Sequence, residues 1–396
     1  MNKYLTISLL CLFFACKDDK ISNTDKTNTS KKDSLSKKQN KEDAAYEDYD
    51  HKWGYIDTLG TMQIPATFDD ALNFSEGFAV VRKGNRWGYI NPKGESLFEP
   101  LYKGAWSFSS GVGRVLCFDG KTGYLDKKGK WAITPIYDYA SDFSEGLAVV
   151  EVDRRFNYIN TDGKVMFKGV FEQANSFENG VARVKFKEKY GVINKKGKYI
   201  LSPKYQEVTI QKNGFIKTKI SDKASEKINI FNLKGESVAA WKNENILYYK
   251  KNVLVLSKEN KQFLADKKLK PLSTKIYDEI FPFSDTLFMV VNDGKIGIVN
   301  DKDTEIIPSD LQQLYMPKEG FAAFKKDERW GYINAKNEVV LTPRFKLVWD
   351  FNQGFARVAT YEGVGYINKT GKIIITPQFK DARDFSEGLA RVVAKD

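Results

Sequence analysis

Apolar residues occur in short segments of four or five along the chain, and turns rich in glycine and charged residues separate these segments. Typical examples are WGYI at 53–56, KIII at 372–375 and LARVV at 389–393. Short apolar runs between closely spaced turns predict β-strands. The predicted fold class is therefore all-β, and helices are not expected.

The pattern repeats with a period near 34 residues from Trp53 onward. Ten units, counted from the tryptophan position, begin at residues 53, 87, 122, 156, 190, 228, 262, 296, 330 and 364. The best copies read WGYINxxGxxxxxP, then an aromatic-Asp segment, then FSEGxAxV. Repetition at this period predicts tandem structural units that pack on one another.

Glycine recurs at three positions of the unit. The second position holds Gly54, Gly88, Gly123, Gly191, Gly297, Gly331 and Gly365, with Asn157, Asn229 and Phe263 in the other units. Six residues later stand Gly60, Gly94, Gly129, Gly163, Gly197, Gly235 and Gly371, with Asp303, Asn337 and Leu269 as replacements. The Ser-Glu-Gly segment supplies Gly77, Gly111, Gly146, Gly180, Gly214, Gly320, Gly354 and Gly388. Because glycine and asparagine tolerate positive φ, the first position is predicted to be left-handed, and the second to close a hairpin turn. Phe263 and Leu269 do not fit these predictions.

Each unit supplies at least three strands, and the stretch TPIYDYASDF is long enough for a fourth edge strand or a crossover. LARVV leads by a short turn into the next WGYI, so these two segments are expected to form a hairpin. The array then begins with an unpaired WGYI and ends with an unpaired LARVV, and each is the simplest partner of the other. Pairing them closes a propeller-like ring without exposed edges, whereas an open β superhelix with capped ends is the alternative.

The repeated WGYINxxG and FSEG segments resemble the WG-repeat (KWG-type) family of β-repeat proteins. The resemblance covers residues 53–396, and ten copies of the unit in phase make it specific. Membership implies a β-repeat structure and, usually, no assigned catalytic activity.

The N-terminal part of the chain differs from the repeats. Residues 1–15 predict a secretory signal peptide, since Lys3 precedes about a dozen mostly apolar residues. The segment Phe13-Phe14-Ala15-Cys16 resembles a bacterial lipobox and implies lipidation of Cys16. Lys17, Asp18 and Asp19 resemble the export signal of surface-exposed lipoproteins in Gram-negative bacteria, or they simply begin a linker. Residues 16–52 are polar, with nine basic and nine acidic side chains, and predict a disordered tether.

Residue types needed for common catalytic and metal sites are scarce in residues 53–396. The one histidine, His51, lies in the tether, and Cys117 is the one cysteine of the repeats. There is no CxxC, P-loop or GxGxxG segment. The carboxylates occupy repeated positions, such as Asp69, Asp138 and Glu145, which favours a structural role. We therefore expect no enzymatic activity, no cofactor and no metal.

Positive charge is concentrated in one part of the array. Residues 53–396 carry a net charge of +11, and residues 190–275, with 19 lysines, seven acidic residues and no arginine, carry +12. This lysine-rich sector suggests contact with an anionic partner, although exposed lysines also protect strand edges from aggregation. The candidate contact residues are Lys212, Lys217, Lys219, Lys250, Lys251, Lys267, Lys268 and Lys270. Lysine without arginine argues against sequence-specific nucleic-acid binding.

Aromatic side chains offer a second kind of site. Trp53, Trp87, Trp330, Tyr55, Tyr89, Tyr332 and Tyr366 keep the phase of the repeat, which favours packing between units over a sugar-stacking surface. Trp106, Trp131, Trp241 and Trp349 lie outside that phase and are candidates for glycan stacking. The sequence thus predicts an outer-membrane lipoprotein facing the cell surface that acts as an interaction scaffold for an envelope protein or acidic glycan. The alternative is a surface glycan-binding protein.

Overall fold

The computed structural model describes residues 51–97, 101–167, 171–211, 214–221, 226–241, 246–250, 253–284, 286–334, 336 and 338–395. Cys16, Lys17, Asp18, Asp19, Lys212 and Lys251 lie outside these residues, and so do the side chains of Trp241 and Lys250. The described residues form β-strands and turns without a helix, as predicted, and therefore no helix among them could cross a membrane.

The described residues contain 37 strands. They are β1 Trp53–Ile56, β2 Met62–Phe68, β3 Asp70–Ala71, β4 Ala79–Lys83, β5 Arg86–Ile90, β6 Gly104–Ala105, β7 Val112–Leu116, β8 Thr122–Asp126, β9 Trp131–Tyr137, β10 Tyr139–Ala140, β11 Ala148–Val152, β12 Arg155–Ile159, β13 Gln173–Ala174, β14 Val181–Phe186, β15 Lys189–Asn194, β16 Tyr199–Tyr205, β17 Glu207–Ile210, β18 Phe215–Ser221, β19 Glu226–Asn232, β20 Ser237–Trp241, β21 Ile246–Lys250, β22 Val253–Lys258, β23 Lys261–Asp266, β24 Glu279–Pro282, β25 Leu287–Asn292, β26 Lys295–Asn300, β27 Glu305–Leu311, β28 Gln313–Leu314, β29 Phe321–Lys326, β30 Arg329–Asn334, β31 Val339–Phe345, β32 Leu347–Val348, β33 Phe355–Thr360, β34 Gly363–Asn368, β35 Ile373–Phe379, β36 Asp381–Ala382 and β37 Ala390–Val393.

Within the described part of the chain, the strands form ten small antiparallel sheets, numbered here as blades 1 to 10. Blade 1 has the strand order β36-β37-β1-β2 and so combines the two ends of the array. The following blades are β3 to β5, β6 to β9, β10 to β12, β13 to β16, β17 to β20, β21 to β23, β24 to β27, β28 to β31 and β32 to β35. This is a β-propeller of ten blades.

The sequence repeat is offset from the blades by half a blade. A unit supplies the third strand of one blade, with the fourth strand in the blades that have one, and the first two strands of the next blade. Blades 2, 4 and 7 have three strands among the described residues. The predicted hairpin between LARVV-type and WGYI-type segments is the centre of each blade, as in the pairing of β4 with β5. The stretch before the Ser-Glu-Gly segment forms a short edge strand, for example β10, rather than a crossover.

The two ends of the array pair as predicted and close the ring. Strand β1 lies antiparallel to β37, with Trp53 opposite Val393 and Ile56 opposite Ala390. The alternative of an open superhelix is therefore wrong for this chain. Closure leaves no blade with an unpaired central strand at the ends of the array.

The hydrophobic core lies between neighbouring blades. In six of the WGYI-type strands a tyrosine packs on the phenylalanine that precedes the next Ser-Glu-Gly segment, as in Tyr55 and Phe74, whose ring centroids are 5.0 Å apart. Its hydroxyl donates a hydrogen bond to a backbone carbonyl 17 residues later, as from Tyr55 to Leu72 at 2.7 Å. The in-phase tyrosines Tyr55, Tyr89, Tyr332 and Tyr366 are fully buried, which confirms packing between units.

The glycine of the Trp-Gly pair is needed for a reason other than the predicted one. Gly54 is not left-handed, and neither are its described equivalents or Asn157 and Asn229. A Cβ atom on Gly54 would lie 2.6 Å from the Ile64 carbonyl oxygen, because the fourth strand bulges toward it at this point. The prediction of positive φ was wrong here, and close approach of two backbones explains the glycine.

The glycine that closes the hairpin turn is left-handed as predicted, with φ of 85° at Gly60. The glycine of the Ser-Glu-Gly segment is left-handed as well, with φ of 88° at Gly77. Leu269, which does not fit the pattern in sequence, nevertheless adopts φ of 66°. Strand β23, which contains Phe263, also pairs with β22 in the same way as in other blades. The seventh unit therefore keeps the hairpin despite its divergent sequence.

Candidate functional site

The short first strands of the blades lie at the inner edge of the ring. Residues next to the short strands β32, β36, β3 and β6 belong to four consecutive blades, yet they line one cavity. In a closed ring, the edges of four consecutive sheets come close enough to share one cavity only on the side that faces the ring axis. Cavities on this inner face are the candidate binding sites.

One position of the second strand points a side chain across this inner face. It lies opposite a buried residue of the third strand, which is tyrosine in six blades and valine, isoleucine or leucine in blades 5 to 8; Arg357, for example, lies opposite Tyr366. We call it the clamp position. From blade 1 to blade 10 it is occupied by Arg391, Val80, Arg114, Val149, Arg183, Lys217, Val255, Met289, Ala323 and Arg357.

Arginine at the clamp position connects one blade to the next. In blade 10, the Nε atom of Arg357 lies 2.6 Å from a carboxylate oxygen of Asp384, and its Nη1 donates to the Ala382 carbonyl at 2.9 Å. Arg114 makes the same two contacts with Asp142 and Ala140 of blade 4. These arginines are buried or nearly so, hence each ion pair is partly shielded from water.

Tryptophan and arginine together form a cavity of about 520 Å³ lined by blades 10, 1, 2 and 3. Trp106 and Trp349, two of the predicted glycan-stacking residues, both line it, although they are far apart in sequence. The guanidinium of Arg114 lies 3.7 Å from the centre of the Trp106 ring, and that of Arg357 lies 4.5 Å from the Trp349 ring. One face of each indole is therefore occupied by a cation.

A second set of contacts connects the Ser-Glu-Gly turns around the ring. The Glu387 carboxylate accepts the Gly77 N–H at 2.8 Å, and the Ser386 hydroxyl donates to the Phe74 carbonyl at 2.6 Å. Equivalent contacts run from blade 9 through blades 10, 1, 2, 3 and 4 to blade 5. Among the described residues, no such contact joins blades 5 to 9. We call the face that carries these turns the Ser-Glu-Gly face.

A larger cavity, of about 1060 Å³, opens on the inner face of blades 6 to 9. Its lining is mainly apolar and includes Leu247, Tyr248, Phe281, Met289 and Met316. Lysine, valine and methionine stand at the clamp positions of blades 6, 7 and 8, whereas blades 1, 3, 5 and 10 carry arginine there. The inner face thus has an arginine-rich side and an apolar side.

The predicted lysine contacts fall in two different places. Lys217 and Lys219 lie half-buried on β18, and Lys217 lines the apolar cavity, where burial lowers the pKa of its ammonium group. Lys267, Lys268 and Lys270 are exposed in the turn that follows β23. This turn belongs to the Ser-Glu-Gly face, since equivalent turn lysines such as Lys127 reach the Ser-Glu-Gly glutamates. The structure therefore does not bring the five described lysines into one cluster.

Trp131 lies apart from the other predicted stacking residues. It is half-buried at the start of the outer strand β9 and packs edge-on against Tyr102 at 6.0 Å. Trp53 and Trp330 are buried, whereas Trp87 lines the arginine-rich cavity. The role of the arginines was not predicted from the sequence, although they recur visibly in VGRVL, VARVK, FARVA and LARVV.

The recurrent carboxylates have structural partners, as their repeated positions suggested. Asp138 pairs with Lys121 at 2.6 Å, and the Glu145 carboxylate accepts the Gly180 N–H at 3.0 Å. No cluster of three or more His, Cys, Asp or Glu side chains suited to a metal ion occurs among the described residues. Cys117 is a buried thiol within an interblade core.

Similar solved structures superimpose only loosely on this chain. The crystal structure of BamB from Moraxella catarrhalis is 12% identical over 72% of this chain and 90% of its own, with a TM-score of 0.29. The WD40 β-propeller domain of Doa1 is 12% identical over 73% of this chain and 90% of its own, with a TM-score of 0.24. A comparison with curated proteins found no match. The assignment as a propeller rests on the strand pairing described above.

Nine segments of the sequence match the WG containing repeat. They are residues 53–87, 87–121, 123–155, 158–190, 190–223, 264–295, 296–330, 330–360 and 365–396. The unmatched stretch between 223 and 264 lies within the lysine-rich sector. The chain belongs to the family of proteins built from WG-containing repeats.

Proposed function

We propose that this protein is a non-enzymatic interaction scaffold of the cell envelope whose lysine-rich sector contacts an anionic protein partner. One observation carries the proposal. The sector with a net charge of +12 coincides with blades that diverge from the repeat and, in the described residues, lack the Ser-Glu-Gly contacts between neighbours. Relaxed structural constraints together with concentrated charge favour a surface used for recognition.

The exposed lysines of the Ser-Glu-Gly face provide the sharpest test. Asp266-Lys267-Lys268-Leu269-Lys270 has a position-for-position counterpart in Asp126-Lys127-Lys128-Gly129-Lys130, which lies in blade 3 outside the basic sector. Each aspartate accepts two backbone N–H groups of its own turn, so the two turns have the same architecture.

The experiment is cross-linking in intact cells, followed by purification of the tagged chain. A stoichiometric protein should co-purify with the parent, and it should be lost when Lys267, Lys268 and Lys270 are changed to Glu. The control variant, with Lys127, Lys128 and Lys130 changed to Glu, should retain it. Equal loss in both variants, or no co-purifying protein at all, contradicts the proposed scaffold. Binding should also weaken with salt, because exposed charges are screened.

Anchoring and display are further parts of the proposal. The sequence of residues 13–19 supports a lipid on Cys16 and export to the outer face of an outer membrane. Protease added to intact cells should then digest the protein, and changing Asp18 and Asp19 to Ala should reduce this digestion. Protection of the parent chain from protease argues against surface display. Cys16→Ser should release the protein from the membrane fraction.

Glycan binding is the second candidate, and it has its own supporting observation. Trp106 and Trp349, predicted separately, line one cavity together with Trp87 and arginines. Indole rings and guanidinium groups suit an acidic sugar, through stacking and charged hydrogen bonds. Binding of envelope polysaccharide that resists salt and is lost in Trp349→Ala would favour this function, provided that Trp131→Ala retains it. Hydrolysis of such a polymer by the purified chain would contradict the non-enzymatic proposal.

A further inference from the structure

The apolar cavity of blades 6 to 9 has the size and lining of a binding site. Its volume of about 1060 Å³ lies just above the usual range for ligand sites, which is roughly 300 to 1,000 Å³. Phe281, Met289 and Met316 contribute flexible or aromatic surface, and Met316 is 46% exposed. Methionine side chains adapt to the shape of a bound apolar group.

Two residues at clamp positions, Lys217 and Met289, line the cavity. In blade 10, Arg357 reaches across the inner face to the next blade and fills the space with its guanidinium. In blade 8, Met289 occupies the same register position, opposite Ile298, and lines the cavity instead. The replacement removes a polar bridge and leaves an apolar surface open to a ligand.

The polar side chains that line this cavity are those of Thr209, Gln211, Lys217, Gln262 and Glu279. Two of them indicate what kind of ligand fits, since Gln262 already accepts the Ile280 N–H and Glu279 is exposed. The side-chain oxygen Oε1 of Gln211 is buried and has no hydrogen-bond partner among the residues that the structure describes, and Gln211 lines the cavity. This oxygen requires a donor, which a backbone N–H group supplies. Lys217 lines the same cavity, and its half-buried ammonium group favours a neighbouring carboxylate. The net charge of +12 in residues 190–275 also favours an acidic ligand.

We infer that this cavity binds an extended peptide segment of a partner protein, in which an apolar side chain stands next to an acidic residue. The apolar side chain enters the pocket of Phe281, Met289 and Met316, while the backbone and carboxylate meet Gln211 and Lys217. The inference rests on the proposed scaffold function and names the chemistry of the partner. The turn lysines of the Ser-Glu-Gly face are a separate contact.

Fluorescein-labelled peptides GGSGFEGSGG, GGSGSEGSGG and GGSGFKGSGG are suitable probes, titrated with the full chain and followed by fluorescence polarisation. The peptide with Phe-Glu should bind at least about tenfold more tightly than the peptides with Ser-Glu or Phe-Lys, since both the anchor and the charge contribute. Equal binding of all three peptides, or no binding of any, overturns the inference. Binding of decanoate at this cavity without binding of peptide also overturns it.

Two cavity variants and one control locate the site. Met289→Arg introduces the arginine that four other blades carry at the clamp position. Met316→Glu places a negative charge at the rim, which repels the glutamate of the peptide. Both variants should therefore abolish binding of the Phe-Glu peptide. Because Met316 is half-exposed, its variant should fold even if Met289→Arg does not. The control is Met166→Arg, since Met166 is 40% exposed and lies outside both cavities. Retained peptide binding in Met316→Glu contradicts the inferred site.

Failure of this inference can be distinguished from failure of the scaffold proposal. If a partner co-purifies through Lys267, Lys268 and Lys270 but Met316→Glu leaves peptide binding unchanged, only the cavity inference fails. If no protein co-purifies from cells, the scaffold proposal fails irrespective of the peptide result.

Discussion

At the scale of single residues, the turn after each WGYI-type strand depends on one polar side chain. In all ten units an Asn or Asp follows the strand, and its side-chain oxygen accepts backbone N–H groups two and four residues later, as Asn368 does from Thr370 and Lys372. This Asx turn fixes the hairpin between the third and fourth strands. The sequence showed the residue at every repeat, but its role became clear only from the two hydrogen bonds.

Gly365 tests the corrected explanation of the Trp-Gly pair. A Cβ atom there would lie 2.4 Å from the Ile375 carbonyl oxygen, so Gly365→Ala should lower the free energy of unfolding by about 1 to 3 kcal/mol. Urea denaturation measures the change. In contrast, Gly320 is left-handed with no atom within 4 Å of an added Cβ, so Gly320→Asn should cost about 1 kcal/mol or less. If Gly365→Asn is tolerated as well as Gly320→Asn, steric contact is not the reason for the glycine.

Asp350 is predicted to reduce stability at neutral pH. Burial raises the pKa of its carboxyl group, with a smaller contribution from Asp384, whereas Lys318 and Arg357 act against the rise. An acid whose pKa is higher in the folded state destabilises folding once the pH exceeds its unfolded value of about 3.9. Asp350→Asn should therefore raise the thermal midpoint at pH 7, and the gain should disappear as the pH falls below that value. An equal gain at both pH values would rule out titration as the cause.

At the scale of elements, the clamp arginine connects one hairpin to the next blade. The strand hairpins themselves could be predicted, because apolar segments and turns alternate along the sequence. The contact of the clamp arginine could not be predicted, because its carboxylate partner lies about 27 residues away in the sequence. Only the packing of neighbouring blades brings the two side chains together, as with Arg357 and Asp384. For the same reason, Trp106 and Trp349 could each be predicted as stacking residues, but not that they line the same cavity.

A double-mutant cycle on Arg357 and Asp384 measures the free energy of interaction between these two side chains. Arg357→Met should lower the free energy of unfolding by about 2 to 3 kcal/mol, because it leaves a partly buried carboxylate without its cation. The equivalent Arg114→Met should cost about 1 kcal/mol, since the Asp142 side chain is 48% exposed. If Arg357→Met and Asp384→Asn prove additive, the two side chains do not interact in solution.

At the scale of the whole molecule, closure depends on one strand pair that joins the ends of the array. The complementary WGYI and LARVV ends made closure predictable, whereas the number of residues per unit did not distinguish a ring from a superhelix. Contacts at the junction repeat those elsewhere: Arg391 reaches Asn73 at 3.2 Å, as Arg357 reaches Asp384. The junction is thus built like the other blade interfaces.

Deletion of residues 386–396 should open the ring at blade 1. Strand β1 then loses its partner β37, so hydrogen exchange of the amides in Trp53–Ile56 should become fast. Strand β22 lies in blade 7, away from the junction, and its amides should remain protected. Unchanged protection of β1 after the deletion contradicts the closure by β37.

The half-blade offset between repeat and blade has a consequence for how such rings change size. Every unit carries the third strand of the blade it completes and two strands for the blade it begins, and in seven of the ten units a fourth strand is described as well. Loss or duplication of any single unit by recombination therefore leaves ends that still complement each other. Rings of nine or eleven blades are accessible in one genetic step, and the remaining interfaces need only adjust the angle between blades. Ring size is expected to vary among relatives by whole units, with the closing strand pair retained.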